Sequence, residues 1–234
     1  MTVTLKIDGK EIEAKKGMVI LEAALQNDIY IPHLCYLQGL SSYGGCRVCA
    51  VEIEGSDKIF ASCTTPVADG MDVIIDSPRI REYRKMAVEL LMSERTHICS
   101  VCVANGNCEL QDLARELGVE HVEFEREWPR FEVDSSHANL VIDRNRCILC
   151  TRCIRVCSEI EGVHTLDLKM RGKESQVIID LDEEWKDSAS CTSCGKCAKV
   201  CPVGAIYVEG EPIDTTKDKE VAEFVLGRRE MADE

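Results

Sequence analysis

Two stretches towards the C-terminal end of the chain repeat one cysteine pattern. They read Cys147-Ile148-Leu149-Cys150-Thr151-Arg152-Cys153-Ile154-Arg155-Val156-Cys157 and Cys191-Thr192-Ser193-Cys194-Gly195-Lys196-Cys197-Ala198-Lys199-Val200-Cys201-Pro202. Both follow C-x2-C-x2-C-x3-C, and the two-residue spacers allow three successive sulfurs to line one concave side of a loop. This pattern is typical of a multi-iron cluster, because each iron corner needs one thiolate.

The doubled run resembles that of the bacterial two-cluster ferredoxins, in which the fourth thiolate of each [4Fe–4S] cluster comes from the other run. The resemblance implies one cluster on Cys147, Cys150, Cys153 and Cys201. It implies a second cluster on Cys191, Cys194, Cys197 and Cys157. The alternative is a pair of zinc knuckles, although zinc needs only C-x2-C pairs and would leave the further cysteines idle.

Composition limits the class of protein. The chain has 234 residues, 15 cysteines and a net charge of −14. The N-terminus does not resemble a signal peptide, and no apolar run approaches the length of a membrane span. We therefore expect a cytoplasmic protein with no membrane partner, in a reducing compartment where clustered thiols bind metal. The acidic balance argues against nucleic-acid binding, which needs a basic patch.

The apolar core is expected to be thin. The hydrophobic fraction of 45% includes the cysteines, and aromatic residues make up only 5%. Because the free energy of metal binding then becomes free energy of folding, we expect that the cluster-free chain does not fold fully.

The first block, residues 1–78, predicts a β-grasp arrangement. Alternating residues on both sides of a turn at 8–10 predict a hairpin, and apolar spacing over 19–25 predicts a helix. Further strands are expected at 48–53, 58–61 and 71–75.

Four cysteines of this block form a first metal site: Cys35, Cys46, Cys49 and Cys63. The site resembles the plant-type [2Fe–2S] pattern C-x4-C-x2-C…C, with a first gap of ten residues in place of four. The intervening segment is rich in turns, and its glycines allow backbone amides to approach sulfur. The alternative is a structural zinc ion.

The middle block, residues 79–136, is expected to be mostly helical. Ser77 and Pro78 form a helix start, and the helix is expected to reach about Met92. Its apolar side is expected to consist of Ile80, Tyr83, Met86, Ala87, Leu90 and Leu91. A second helix over 109–118 ends at a glycine.

Cys99, Cys102 and Cys108 form a third metal site with only three cysteines. The other groups use four cysteines each, and together with this trio they account for all 15. His97, two positions before Cys99, is the candidate fourth ligand, because imidazole can replace a thiolate on iron. The alternatives are a water-ligated cluster and a three-iron cluster.

The third block is residues 137–215, the two-cluster ferredoxin domain, and the tail is 216–234. The charged stretch 123–137 is interpreted as a surface linker. Strands are expected at 164–168 and 177–181, and a short helix at 221–226. The whole chain is therefore assigned to the α+β class.

No motif for nucleotide, flavin or catalytic chemistry stands out. We find no G-x-G-x-x-G after a strand, no G-K-[ST] phosphate loop and no Ser/His/Asp constellation. The pattern indicates a chain that carries electrons without a substrate-binding centre of its own.

The four cysteine motifs, in this order over about residues 1–210, resemble the N-terminal cluster region of the complex I large iron–sulfur subunit and of iron-only hydrogenases. Those relatives place histidine where this chain has Arg95, and they continue into a further large domain. In both departures the chain is similar to the diaphorase iron–sulfur subunits (HoxU type) of bidirectional NAD-reducing [NiFe] hydrogenases.

This resemblance implies one [2Fe–2S] and three [4Fe–4S] clusters in an electron-transfer subunit of a reversible hydrogen:NAD+ oxidoreductase. It implies a flavin- and NAD-binding diaphorase subunit and the hydrogenase small and large subunits as partners. The alternatives are the same relay role in an NAD-dependent formate dehydrogenase or a complex I-like enzyme, and a zinc-bound adaptor protein.

Overall fold

The computed structural model describes residues 1–213 together with Glu223, Val225 and Gly227. Within these residues the strands are β1 (Thr2–Ile7), β2 (Lys10–Lys15), β3 (Ala50–Ile53), β4 (Ile59–Ala61), β5 (Asp72–Ile74), β6 (Leu140–Ile142), β7 (Leu166–Lys169), β8 (Gln176–Ile179) and β9 (Ile206–Val208). The α-helices are α1 (Ile20–Gln26), α2 (Pro78–Glu94), α3 (Glu109–Glu116), α4 (Arg152–Glu159) and α5 (Lys196–Lys199).

The N-terminal block folds around a five-stranded mixed sheet in the order β2-β1-β5-β3-β4. The predicted hairpin is present as the antiparallel pair β1–β2, in which Leu5 lies opposite Ile12. Strand β1 also pairs in parallel with β5, and β3 pairs antiparallel with β4 and β5. Alternate residues of β1 and β2 are buried, as a sheet with one solvated face requires. The loops that carry the cysteines lie at the edge of the layer formed by the sheet and α1.

Helix α2 begins as predicted and ends two residues later than expected. The hydroxyl of Ser77 accepts a hydrogen bond from the amide of Ile80 at 3.2 Å. The predicted apolar face is wrong in part, because Met86 and Leu90 are 44% and 46% exposed.

A buried arginine explains this difference. The stripe of α2 that faces the interior is Ile80, Arg84 and Val88, spaced one turn apart. The guanidinium of Arg84 donates to the carbonyl oxygen of Ala50 in β3 at 2.8 Å. A polar contact to the sheet therefore rotates the helix away from the face that hydropathy alone favours.

The C-terminal block is built from two antiparallel strand pairs and two short helices. β6 pairs with β9, and β7 pairs with β8. The strands β7 and β8 lie close to the positions where strands were expected. Helices α4 and α5 were not predicted, and each starts after a residue with positive φ, Thr151 at 60° and Gly195 at 71°. Both helices lie inside the cysteine runs.

A single core cluster joins the three blocks. It includes Leu34 and Val48 from the first block, Val88 from the second, and Ile142 and Trp185 from the third. The loop that carries the first cysteine group therefore packs against the other blocks.

Two further segments were predicted from the sequence, a surface linker and a tail helix. The stretch 123–137 forms no helix, and Asp134 makes an isolated bridge to Ile142. In the predicted tail helix, Glu223 and Val225 are helical, and the other residues of 221–226 lie outside the described part. No helix in the described part has the length and apolar character of a membrane span.

Candidate metal centres

The first site gathers four buried thiols at the edge of the five-stranded sheet. Cys35 follows α1, Cys46 and Cys49 precede β3, and Cys63 follows β4. The backbone amide of Cys35 donates to the sulfur of Cys46 at 3.4 Å. The thiols of Cys35 and Cys49 both hydrogen-bond with that of Cys63. The four predicted ligands of this site therefore lie together.

The glycine segment before Cys46 allows close backbone approach, as predicted. The amides of Cys46 and Gly45 both hydrogen-bond to the sulfur of Cys35. A Cβ atom at Gly45 would lie 2.2 Å from Cε1 of Tyr43. Only glycine therefore fits this turn without displacing the tyrosine ring.

Hydrogen bonds divide the thiols of the first site into two kinds. Those from Cys46 and Cys63 lower the pKa of Cys35 to about 2, and one from Cys63 lowers the pKa of Cys49 to about 6. The donating thiols, Cys46 and Cys63, have a raised pKa. Cys35 and Cys49 are therefore the thiols of this site that most readily become thiolates.

The doubled run surrounds two separate cavities. One is lined by Cys147, Cys150, Cys153 and Cys201, with apolar walls that include Ile142 and Val203. The other is lined by Cys157, Cys191, Cys194 and Cys197, with walls that include Leu140 and Trp185. Each cavity thus takes three cysteines from one run and the last cysteine from the other run.

Helix α4 explains how one run serves both cavities. Cys153 and Cys157 lie four residues apart on α4, which corresponds to a rise of about 6 Å along the axis. Cys153 faces the first cavity, and Cys157 faces the second. The three-residue spacer of the motif is therefore one helical turn between two adjacent sites.

Several thiols of the two cavities have a raised pKa. Burial, together with the neighbouring Cys201, raises the pKa of Cys147 to about 11. Burial raises the pKa of Cys150, Cys153 and Cys197 as well. Since iron binds thiolate, cluster assembly at these sites must release protons.

N–H groups point at several of these sulfurs. The amide of Ala205 donates to Cys201 at 3.2 Å, and the indole Nε1 of Trp185 donates to Cys191 at 3.3 Å. Such hydrogen bonds stabilise negative charge on sulfur and are one of the factors that set cluster potentials.

Cys99, Cys102 and Cys108 form the third group, at the start of α3. Burial raises the pKa of Cys108, and the neighbouring Cys102 and Cys99 raise it as well. Together with the hydrogen bonds to its sulfur, these effects give a pKa of about 12. The amides of Gln111 and Leu110 hydrogen-bond to the Cys108 sulfur. The three thiols are therefore neighbours around the first turn of α3.

The imidazole of His97 has a buried nitrogen without a partner. Its Nε2 atom is buried and makes no hydrogen bond, a state that costs on the order of 1–3 kcal/mol. Burial lowers the pKa of His97 to about 4, so the ring is neutral and Nε2 can offer a lone pair. The described residues show no hydrogen bond between this ring and the three thiols, and a metal bond would satisfy the orphaned atom.

Arg95 occupies the position where the resembling proteins have histidine, and its side chain is engaged elsewhere. It is 1% exposed and donates to the carbonyl oxygens of Lys173 at 3.1 Å and Ser175 at 2.6 Å. Its guanidinium also stacks over Phe131 at 5.1 Å. Arg95 is therefore not available as a ligand of the third group, and His97, two residues further on, stays the candidate.

Sequence reasoning missed a set of buried arginines next to the cysteines: Arg84, Arg95, Arg144, Arg152 and Arg155. The sequence contains one signal for their proximity to the metal sites, because two of them lie inside the first C-x2-C-x2-C-x3-C run.

The donor sets fit iron–sulfur clusters. Across residues 1–213, no three His, Cys, Asp or Glu side chains converge on a point that would hold one metal ion. The sulfurs of the doubled run instead line two cavities, and every predicted group consists of thiols with at most one imidazole. One thiolate for each iron around a central inorganic core is the arrangement that such clusters require.

Three family models match consecutive parts of the chain. Residues 1–78 match the 2Fe-2S iron-sulfur cluster binding domain, and residues 84–123 match the NADH-ubiquinone oxidoreductase-G iron-sulfur binding region. Residues 138–207 match the ferredoxin-like domain of NADH-quinone oxidoreductase subunit 3. The chain is thus a mixed α/β protein with a 2Fe–2S domain, a ferredoxin-like domain and regions of the 4Fe–4S-binding type.

Curated relatives cover most of the chain. The NADPH-Fe(3+) oxidoreductase subunit alpha of Geobacter sulfurreducens is 38% identical over 204 residues, which are 87% of this chain and 24% of that protein. The chain therefore spans about a quarter of that relative. The NAD-reducing hydrogenase HoxS subunit gamma of Cupriavidus necator is 32% identical over 88% of this chain and 87% of its own length.

A solved structure has the same fold. A chain of the NAD+-reducing [NiFe]-hydrogenase in the H2-reduced state superposes with a TM-score of 0.85 at 33% identity. The match covers 94% of this chain and 98% of that chain.

Proposed function

The chain belongs to the family of iron–sulfur subunits that includes the gamma subunit of NAD-reducing hydrogenase, with relatives in complex I, and from this membership we propose that it relays electrons between a [NiFe] hydrogenase module and a flavin- and NAD(H)-binding diaphorase module. The observation that carries the proposal is the pair of adjacent cavities, each lined by four cysteines. When bound there, iron–sulfur clusters supply reversible one-electron transfer.

We assign one [2Fe–2S] and three [4Fe–4S] clusters to the chain. The [2Fe–2S] ligands are Cys35, Cys46, Cys49 and Cys63. The [4Fe–4S] ligand sets are His97, Cys99, Cys102 and Cys108; Cys147, Cys150, Cys153 and Cys201; and Cys191, Cys194, Cys197 and Cys157. The grouping of the thiols supports the cysteine sets, and the unpartnered Nε2 atom supports His97.

We propose four parts of the chain on the same grounds. They are a β-grasp [2Fe–2S] domain at 1–78, a His/Cys3 domain at 79–136, a two-cluster ferredoxin domain at 137–215 and a tail at 216–234. The sheet order, with a hairpin on one side and a parallel β1–β5 pair, supports the β-grasp assignment.

The residues of the chain surround the sulfurs with apolar side chains and hydrogen-bond donors. Apolar side chains line both cavities, and amides and the Trp185 indole offer hydrogen bonds to sulfur. Low reorganisation and close spacing of the sites favour transfer between them. We propose that this chain has no substrate-binding catalytic centre and that hydrogen and NAD(H) react on partner subunits.

The proposed partners are a diaphorase subunit with flavin and NAD and the small and large hydrogenase subunits. We propose no nucleic-acid or membrane partner, in keeping with the net charge of −14. The 15 cysteines, none in a disulfide among the described residues, are consistent with a reducing cytoplasm.

A complex I-like enzyme is the second candidate. Two of the three family models, at residues 84–123 and 138–207, carry complex I descriptions. In that case the electron-relay role and the ligand sets are unchanged, and only the enzyme complex to which the chain belongs differs.

Purification of the native complex tests the proposal. A tag on this chain should co-purify flavin- and nickel-containing subunits without air, and the complex should reduce NAD+ with hydrogen. The Cys201→Ser variant should abolish this coupled reaction while hydrogen still reduces an artificial dye at the hydrogenase module. Quinone-linked NADH oxidation with no hydrogen-dependent activity would contradict the hydrogenase assignment and favour the second candidate.

A further inference from the structure

Helix α4 carries a buried arginine that touches the ligand residues of two different sites. Arg155 lies between Cys153 and Cys157 and is buried. Its Nη2 atom donates to the carbonyl oxygen of Cys35 at 2.5 Å and to that of Cys150 at 3.0 Å. Cys35 belongs to the first site and Cys150 to the first cavity of the doubled run, so one guanidinium joins two ligand loops.

The other hydrogen bonds of Arg155 also go to neutral oxygens in the described part of the chain. Nη1 donates to the carbonyl oxygen of Ser41, and Nε donates to the hydroxyl of Thr151 at 3.2 Å. The neighbouring Arg152 is different, because Glu109 accepts hydrogen bonds from it at 2.8 and 3.0 Å. The charge of Arg152 is therefore paired with a carboxylate, whereas that of Arg155 is hydrogen-bonded without one.

Arg155 interacts with the thiols of two metal sites. Burial lowers the pKa of Arg155, and the charges that Cys150 and Cys35 carry as thiolates, in that order, oppose this effect. Glu159, one turn further along α4, contributes less and is bonded to the amide and hydroxyl of Ser41. A buried cation is tolerated when anions compensate it, and here the anions belong to two sites.

We propose that Arg155 is a positioning residue shared by two clusters: its fixed positive charge raises the reduction potential of both, and its guanidinium fixes the separation of their ligand loops. The inference rests on the proposed ligand sets, the [2Fe–2S] site of Cys35 and the [4Fe–4S] site of Cys150.

The sign of the effect follows from charge. Reduction adds one electron, supplied in vitro by dithionite, and makes the cluster site one unit more negative. A guanidinium stays protonated throughout, so it stabilises the reduced state of each site more than the oxidised state. Groups that act on ligands in this way tune metal sites through charge and hydrogen bonding.

A redox titration of the full, cluster-loaded chain, followed by electron paramagnetic resonance, tests the proposal. Arg155→Gln should lower the reduction equilibrium constant of both clusters about tenfold, which corresponds to about 59 mV for one electron. Arg155→Lys keeps the charge and should leave both constants within about threefold of wild type. Wild-type potentials in Arg155→Gln, or a shift of one cluster alone, would overturn the shared role.

Glu159→Gln gives a test of opposite sign on a less buried side chain. Removing this negative charge should raise both potentials, and an unchanged titration would contradict the electrostatic account even if Arg155→Gln fails to retain its clusters. Arg171→Gln removes one positive charge, as Arg155→Gln does, but at an exposed position. This variant should change neither potential.

The design separates this inference from the proposed function. Wild-type protein without iron and sulfide would contradict the ligand sets themselves. Full clusters in all variants with unmoved potentials would contradict only the role of Arg155. An equal drop in Arg155→Lys and Arg155→Gln would show that the charge is not the cause.

Discussion

At the residue scale, His97 is the only nitrogen among the proposed ligands. Counting the cysteines was enough to predict it, because one group lacked a fourth thiolate. The structure adds the buried Nε2 atom without a partner and the engagement of Arg95 with other groups. These contacts of Arg95 are consistent with the prediction that His97 is the ligand.

We predict that His97→Ala loses or alters one cluster and leaves the others intact, because one iron loses its protein ligand. Electron paramagnetic resonance of the reduced protein and iron counting measure this. His97→Cys should restore a cluster with a changed potential, since thiolate replaces imidazole. His121→Ala, at an exposed histidine, is the control. An unchanged spectrum in His97→Ala would mean that another group supplies the ligand.

Trp185 is a second residue whose role depends on a single atom. Trp185→Phe removes the hydrogen bond from Nε1 to the Cys191 sulfur. A hydrogen bond of this kind is worth about 1 kcal/mol net, or roughly 40 mV for one electron. We predict that the potential of the cluster assigned to Cys191 falls by that order.

The same redox titration measures the effect of Trp185. Trp128→Phe, at a more exposed indole, should leave every potential unchanged. A drop in the potentials of all clusters in Trp185→Phe would indicate a general loss of packing rather than the loss of one hydrogen bond.

At the scale of elements, alternation and turn residues were sufficient to predict β1, β2 and the strands of the N-terminal sheet. Helices α4 and α5 escaped prediction because they are only 8 and 4 residues long and consist largely of cysteine, arginine and lysine. Their conformation depends on the tertiary setting of the cysteine loops. The face of α2 was mispredicted for a related reason, since a buried arginine has no hydropathy signal.

The crossed pairing of the two runs gives a prediction at this scale. Cys201→Ser should remove the cluster of the first run, although Cys201 belongs to the second run, because it lines the cavity of Cys147, Cys150 and Cys153. Cys157→Ser should remove the cluster of the second run. The matched pair is compared by resonance spectra and iron content.

Pairing within each run would give the opposite result. In that case Cys201→Ser would affect the cluster of Cys191, Cys194 and Cys197, and the proposed ligand sets would be wrong. Spectra of the two clusters are told apart with Trp185→Phe, which perturbs only the second cavity.

At the scale of the whole molecule, an acidic chain concentrates its buried positive charge around its metal sites. The net charge is −14, yet the buried charged side chains are mainly arginines. Apart from the two arginines inside the first cysteine run, the sequence contains no signal for this arrangement, because the arginines come from two blocks and are buried only in the folded chain. Cysteines also form part of the shared core.

We predict that removal of the clusters unfolds much of the C-terminal block, because the four cysteines of each cavity are then no longer joined by a metal site. Far-ultraviolet circular dichroism and limited proteolysis of the chelated chain measure this loss. A native-like spectrum and resistance to protease in cluster-free protein would contradict the view that the metal sites supply folding free energy.

The most direct test of the four-cluster account is a metal and sulfide analysis of the chain purified without air, combined with its electron paramagnetic resonance spectrum after reduction. We predict iron and acid-labile sulfide in the amounts of one [2Fe–2S] and three [4Fe–4S] clusters, with distinct signals for the two cluster types. Stoichiometric zinc with iron and sulfide near zero would contradict it.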